Sequence, residues 1–118
     1  KKAYKILLQL QNEGISAIQI LRAFTRQLQN LYSIKERLLV KKDINFVLDN
    51  FKPPIYFKRK DNIKLQAKDW SVPMIKEALK IIEDAEISCK SLKSSPKIIT
   101  KHTILNIGML KTNANINF

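Results

Sequence analysis

From Ser16 to Leu39 the chain reads as one long amphipathic helix, and no other feature constrains the fold as much. Ser16 has the side chain of an N-cap, and Gln19 stands three residues on to complete a capping box. Ile15 and Ile20 flank that start at the spacing of a hydrophobic staple. Beyond it Ala17, Leu21, Phe24, Leu28 and Leu31 recur four and three residues apart, which lines them up on one helical face. A helix from about Ala17 to Leu39 with such a seam must bury it against other elements.

The rest of the chain repeats this pattern of caps and stripes. Ala3 to about Asn12 predicts a first helix with Tyr4, Leu7, Leu8 and Leu10 as its apolar contacts, stopped by Gly14 in a left-handed cap. Lys41-Lys42-Asp43 makes a polar break, and Asp43 can cap a short helix through Ile44, Val47, Leu48 and Phe51. Pro53-Pro54 ends that helix, and Pro54 can serve as the first residue of the next, running to about Lys68 with Ile63 and Ala67 inward. Ser71 is a second clear cap, with Pro73 in the first turn and Trp70 and Ile75 at staple spacing. Ile75, Ala78, Leu79, Ile82, Cys89 and Leu92 then form the stripe of a helix ending near Leu92. Ser94-Ser95-Pro96 repeats the cap-plus-proline start, with Ser95 as the cap of a last helix whose apolar positions include Ile98, Leu105 and Met109.

No stretch alternates as a strand does, and no linker divides the chain. The expectation is an all-α fold, a single compact bundle of five to six helices over residues 1–112, with an Asn-rich tail at 113–118 that frays. A chain of 118 residues is long enough to bury roughly two thirds of its unfolded surface in one domain. The opening Lys1-Lys2, without Met, suggests a piece of a longer protein.

The 22 basic residues against 10 acidic ones give a formal charge of +12, which favours polyanionic partners: nucleic acid, acidic protein or anionic lipid. Heavy use of Lys, Ile and Asn also suits AT-rich coding sequence, so part of the excess is compositional. The inventory argues against an enzyme. Two glycines, Gly14 and Gly108, cannot make a phosphate-binding loop, and one His with one Cys cannot make a zinc site. No metal, cofactor or catalytic residue is expected. His102 reads as a packed or half-exposed helix residue, and Cys89 as a small buried hydrophobe in a reducing compartment. No apolar run is long enough to span a membrane, and no signal peptide is present, so the expected location is the cytoplasm, with no membrane partner.

One region is chemically biased. Between Lys52 and Lys68 six basic residues face one acid, Asp61, and Tyr56-Phe57-Lys58-Arg59-Lys60 interleaves aromatics with charge. Bases there can neutralise phosphates while an aromatic face stacks on an unpaired base. The other reading makes Tyr56 and Phe57 core residues and the lysines a solvated face; the pattern alone leaves both open.

The ordered set EGISAIQILRAFTRQLQNLYSIKE, PPIYFKRK, the DWS helix start and AEISCK resembles the C-terminal domain of the delta subunit of bacterial DNA polymerase III, a component of the sliding-clamp loader. The likeness covers roughly residues 1 to 110 and is nearest the alphaproteobacterial form, in which the PP-aromatic-FKRK stretch recurs. It implies a helical collar domain that holds delta in a pentameric ring with the gamma or tau and delta-prime subunits. The sliding clamp would then be met only by an N-terminal module outside this chain, and the location would be the nucleoid-associated replication machinery. The parent assembly is a nucleotidyltransferase, yet the resemblance implies no catalysis here. It places Tyr56 where a family aromatic meets single-stranded template near primed DNA, with Arg59 and Lys60 at nearby basic positions. Where some relatives carry a second template-facing aromatic, this chain has Lys93, which can contact a phosphate but cannot stack. An autonomous basic helical module that binds nucleic acid is the alternative.

Overall fold

The computed structural model describes residues 2–91 and 95–116, with side chains described from 5 to 91 and from 95 to 110. The described residues form six α-helices and no strand: α1 (Lys2–Asn12), α2 (Ala17–Val40), α3 (Ile44–Asp49), α4 (Lys60–Asp69), α5 (Val72–Cys89) and α6 (Pro96–Ile116), with a 3-10 turn at Phe57–Arg59. This is an all-α bundle within the expected range of helices.

Local chemistry sets the boundaries. Gly14 has φ of 81°, the left-handed conformation that ends α1. Two residues later the Ser16 hydroxyl accepts from the Gln19 N–H at 3.2 Å, and the Ser16 N–H donates to the Gln19 side-chain carbonyl at 3.3 Å. Both halves of the capping box are therefore made. Asp43 accepts from the Asn45 N–H at 3.0 Å at the start of α3, and Ser71 accepts from the Met74 N–H at 3.2 Å at the start of α5. At the start of α6 the Ser95 carbonyl takes the Ile99 N–H at 3.0 Å. At the other end of α4, Lys35 on α2 donates its ammonium to the Ala67 carbonyl at 2.7 Å, placing a cation on exposed helix-end carbonyls.

The centre of the bundle is the pair α2 and α5, which run antiparallel: Arg22 meets Glu86 at 3.0 Å, while Lys76 lies 5.8 Å from the Tyr32 ring centre. Leu21, Leu28, Leu31 and Ile34 of α2 pack against Ile75, Ala78, Ile82 and Ala85 of α5, all buried. Val47, Leu48 and Phe51 join from α3 and its exit, and Ala67 from α4. A smaller cluster of Leu7, Ile20 and Ile104 fastens α1 to the start of α2 and to α6. Ile20 is thus buried as the staple predicts, while Ile15 is more exposed.

One expectation is corrected. The helix after Pro53-Pro54 does not begin at Pro54; the chain stays extended through Tyr56, makes the 3-10 turn, and enters α4 only at Lys60. A start at Pro54 would put Pro53 at the N-cap, where it offers no side-chain oxygen. The observed start has Asp61 in its first turn, where a carboxylate suits the helix dipole. In α6 the structure adds which face is buried. Ile98, Leu105 and Met109 face outward, and the buried face carries Thr100, Thr103 and Ile104, flanked by half-buried Ile99, Ile107 and Leu110. The two threonines tolerate burial because each hydroxyl donates to a carbonyl four residues back, Thr100 to Pro96 at 2.8 Å and Thr103 to Ile99 at 2.7 Å. Their methyl groups then serve as apolar surface.

Helix α5 closes at Cys89, and Leu92, its expected last contact, lies outside the described residues together with Lys93 and Ser94. Helix α6 continues to Ile116, into the segment expected to fray. No helix among the described residues is long and apolar enough to cross a membrane.

Candidate nucleic-acid interface

The connector between α3 and α4 holds the Tyr56–Lys60 group, and one residue explains its posture. Ile55, the first residue after the proline pair, is half-buried and packs on the main core. With the inward position filled, the two aromatics that follow are left outside. Tyr56 is 57% exposed and Phe57 67% exposed. Neither is a core residue, so the reading that assigned them to the interior does not hold.

The two rings touch edge to face, with centres 5.0 Å apart and planes inclined at 63°. That arrangement suits the ring quadrupoles and leaves both side chains largely exposed. With the planes so far from parallel, a flat base that stacks on one ring meets the other at an angle. The pair therefore offers one stacking face and one flanking wall at a time.

Charge surrounds the pair. Lys58 and Arg59 are exposed in the 3-10 turn, whose Arg59 N–H donates to the Tyr56 carbonyl at 2.8 Å. Lys52, Lys64 and Lys68 lie on the flanking segments. Lys60 is different: it is half-buried and its ammonium bonds Asp49 at the end of α3 at 2.5 Å. Its charge is shared with a carboxylate, and its structural effect is to pin the start of α4 to α3. Of the expected contacts, Tyr56, Lys58 and Arg59 are brought together on the surface, Lys60 is tied to Asp49, and Lys93 lies outside the described residues. The caps Ser16 and Ser71 act as caps by side-chain hydrogen bonds.

Compared with family models, curated proteins and solved structures, the chain matches none.

Phe57, which the sequence weighed together with Tyr56 but did not name among the contact candidates, is the more exposed residue of the two. Its exposure had no signal of its own; it follows from the inward turn of Ile55. Elsewhere, no group of three His, Cys, Asp or Glu side chains among the described residues could hold a metal. His102 is exposed rather than packed, and lies beside Asp84 and Ser88 in an open groove of about 330 Å³ between α5 and α6. Cys89 is half-buried at the end of α5, with Sγ 4.0 Å from the Pro96 carbonyl. Burial pushes its thiol above the ordinary value; a hydrogen bond with Thr100 works the other way, and the nearby Glu86 carboxylate adds to the rise.

Proposed function

We propose that this chain is the collar domain of a clamp-loader delta subunit, an assembly module that docks sister helical domains and offers single-stranded template a secondary contact. What carries the reading is the surplus of apolar surface on a bundle whose interior is already filled. Leu39 and Val40 at the end of α2, Ile87 on α5, and Ile98, Leu105 and Met109 on α6 are all exposed. Among the described residues no buried side-chain nitrogen or oxygen lacks a hydrogen-bond partner. Exposed aliphatic residues gathered along helices suit protein–protein contact. The sequence likeness to delta collar domains supplies the partners: the gamma or tau and delta-prime subunits. On this reading the domain itself does no chemistry, and any hold on the sliding clamp belongs to another part of the subunit.

The test is a pull-down of the tagged chain with purified gamma or tau and delta-prime collar domains. Retention of those domains supports the reading, and their failure to bind at micromolar concentration removes it.

The exposed aromatic pair favours a second reading, an autonomous nucleic-acid-binding module. It predicts that the isolated chain binds single strands in a salt-sensitive way, weakened by Tyr56→Ala and by Arg59→Ala. Absence of measurable binding at low salt would remove that reading and leave the first intact.

A further inference from the structure

Two exposed apolar features of opposite shape stand apart on the bundle. At one end, α2 stops with Leu39 and Val40 exposed to 79% and 86%, the two most protruding large aliphatics described, and Lys41 and Lys42 follow directly. Phe46 on α3 stands beside this tip, with the Lys41 ammonium 4.8 Å from its ring centre. The tip is an aliphatic knob with a basic collar. Away from this tip, the groove between α5 and α6 is lined by Ile81, Ala85, Ile98 and Ile99, with Asp84 as its one acidic lining residue and His102 beside them. Helix α5 carries four acids against two lysines in a chain of net charge +12, so the groove borders the most acidic helix.

The antiparallel pairing of α2 with α5 keeps knob and groove apart. Glu86 lies level with Arg22 and Lys76 with Tyr32, so Ile81 falls near position 27 of α2. The knob is thirteen residues further on, roughly 20 Å at 1.5 Å per residue. About 20 Å of rigid helix separates the two surfaces, so they cannot meet within one copy.

We infer that the Leu39–Val40 knob of one copy seats in the α5–α6 groove of a second copy, with Lys41 and Lys42 facing Asp84, in a head-to-tail contact. Such a contact is heterologous: each copy keeps a knob and a groove in use, so it propagates into a ring or a row instead of closing on a two-fold axis. The patch is small beside the ~1,200–2,000 Å² of stable interfaces, so two isolated copies associate weakly. The inference does not require the clamp-loader reading, although it draws on Leu39, Val40 and Ile98, which that reading also uses; association of the purified chain with no other subunit present keeps the two tests distinct.

Sedimentation of the purified chain from micromolar to millimolar concentration tests it. The wild type is expected to show reversible, concentration-dependent association. Leu39→Ser with Val40→Ser should weaken it by about tenfold or more, given what burying two aliphatic side chains contributes. Asp84→Lys alone, and Lys41→Glu with Lys42→Glu alone, should each abolish it by setting like charges face to face. An equimolar mixture of those two variants should associate again, because each knob then meets a groove of opposite sign. All these positions are exposed, and a circular-dichroism melt of each variant checks that the fold is kept. A wild-type chain that stays monomeric throughout overturns the inference. So does association indifferent to these changes, or a mixture that stays monomeric.

Discussion

Replacing Phe57 with alanine separates stacking from electrostatics at the candidate interface. Two-thirds of the ring is already in water, and the main contact it gives up is the edge-to-face touch with Tyr56. Folding stability should therefore move by no more than about 0.5 kcal/mol. If a base lies on this ring, its loss should cost about 1–3 kcal/mol in binding, or roughly 5- to 150-fold in affinity. Because the Tyr56 plane is inclined at 63°, one base cannot lie flat on both rings, and Tyr56→Ala should have an effect distinct in size from Phe57→Ala. The assay is fluorescence anisotropy of a labelled oligothymidine at several salt concentrations. Phe57→Ala should lower affinity and leave the salt slope unchanged, since it removes no charge. Arg59→Ala should reduce the slope by about 0.7, the share of one phosphate contact on a single strand. Unchanged affinity in Phe57→Ala, or a changed slope with the ring alone removed, would refute the assignment of this ring to stacking.

Further predictions concern the frame that holds this surface. Ile82→Ala, at a fully buried position facing α2, should destabilise the fold by about 2–5 kcal/mol in a denaturant titration; a loss below 1 kcal/mol would mean the α2–α5 seam is not the core. Ser16→Ala removes the capping box and Ser71→Ala a single cap. Each should cost about 1 kcal/mol by thermal melt, and each should be largely restored by Asp at the same position. The Cys89 thiol, raised by burial, should react with a disulfide reagent at pH 8 more slowly than in the urea-unfolded chain. The linkage has a matching sign: with the folded value raised, this residue's contribution to stability is complete below the unfolded thiol value and is lost as pH rises through the folded one. Equal rates in the folded and unfolded chains would contradict this.

The elements legible in the sequence were those whose start is set by a few neighbouring side chains. Ser16 with Gln19, Asp43, and Ser71 with Pro73 mark starts that hydrogen bonds now account for, and the periodic stripes of α2 and α5 meet as the central pair. The start of α4 was harder to read because no polar cap marks it: Tyr56 precedes the 3-10 turn and Arg59 precedes the helix, neither making a side-chain cap bond. For a chemical reason, the buried face of α6 was not singled out by the sequence. Isoleucine, leucine and methionine occur all round this helix, and the buried stripe of Ile99, Ile104, Ile107 and Leu110 is completed by Thr100 and Thr103, whose hydroxyls are satisfied within the helix. The aromatics illustrate a limit of local pattern. Either Tyr56 or Phe57 could have turned inward; Ile55 took that place, and that outcome depends on the space left by α2 and α3 more than on the connector itself. Leu39 and Val40 likewise continue an apolar run in the sequence, and only the end of the bundle decides that they protrude.

Native mass spectrometry of this chain mixed with full-length gamma or tau and delta-prime subunits tests the assembly claim most directly. A complex containing a single copy of this chain beside those subunits is the predicted result, with Leu39→Ser, Val40→Ser or Ile98→Ser lowering its yield. A spectrum in which this chain is found only by itself, while the other subunits assemble among themselves, would contradict the account.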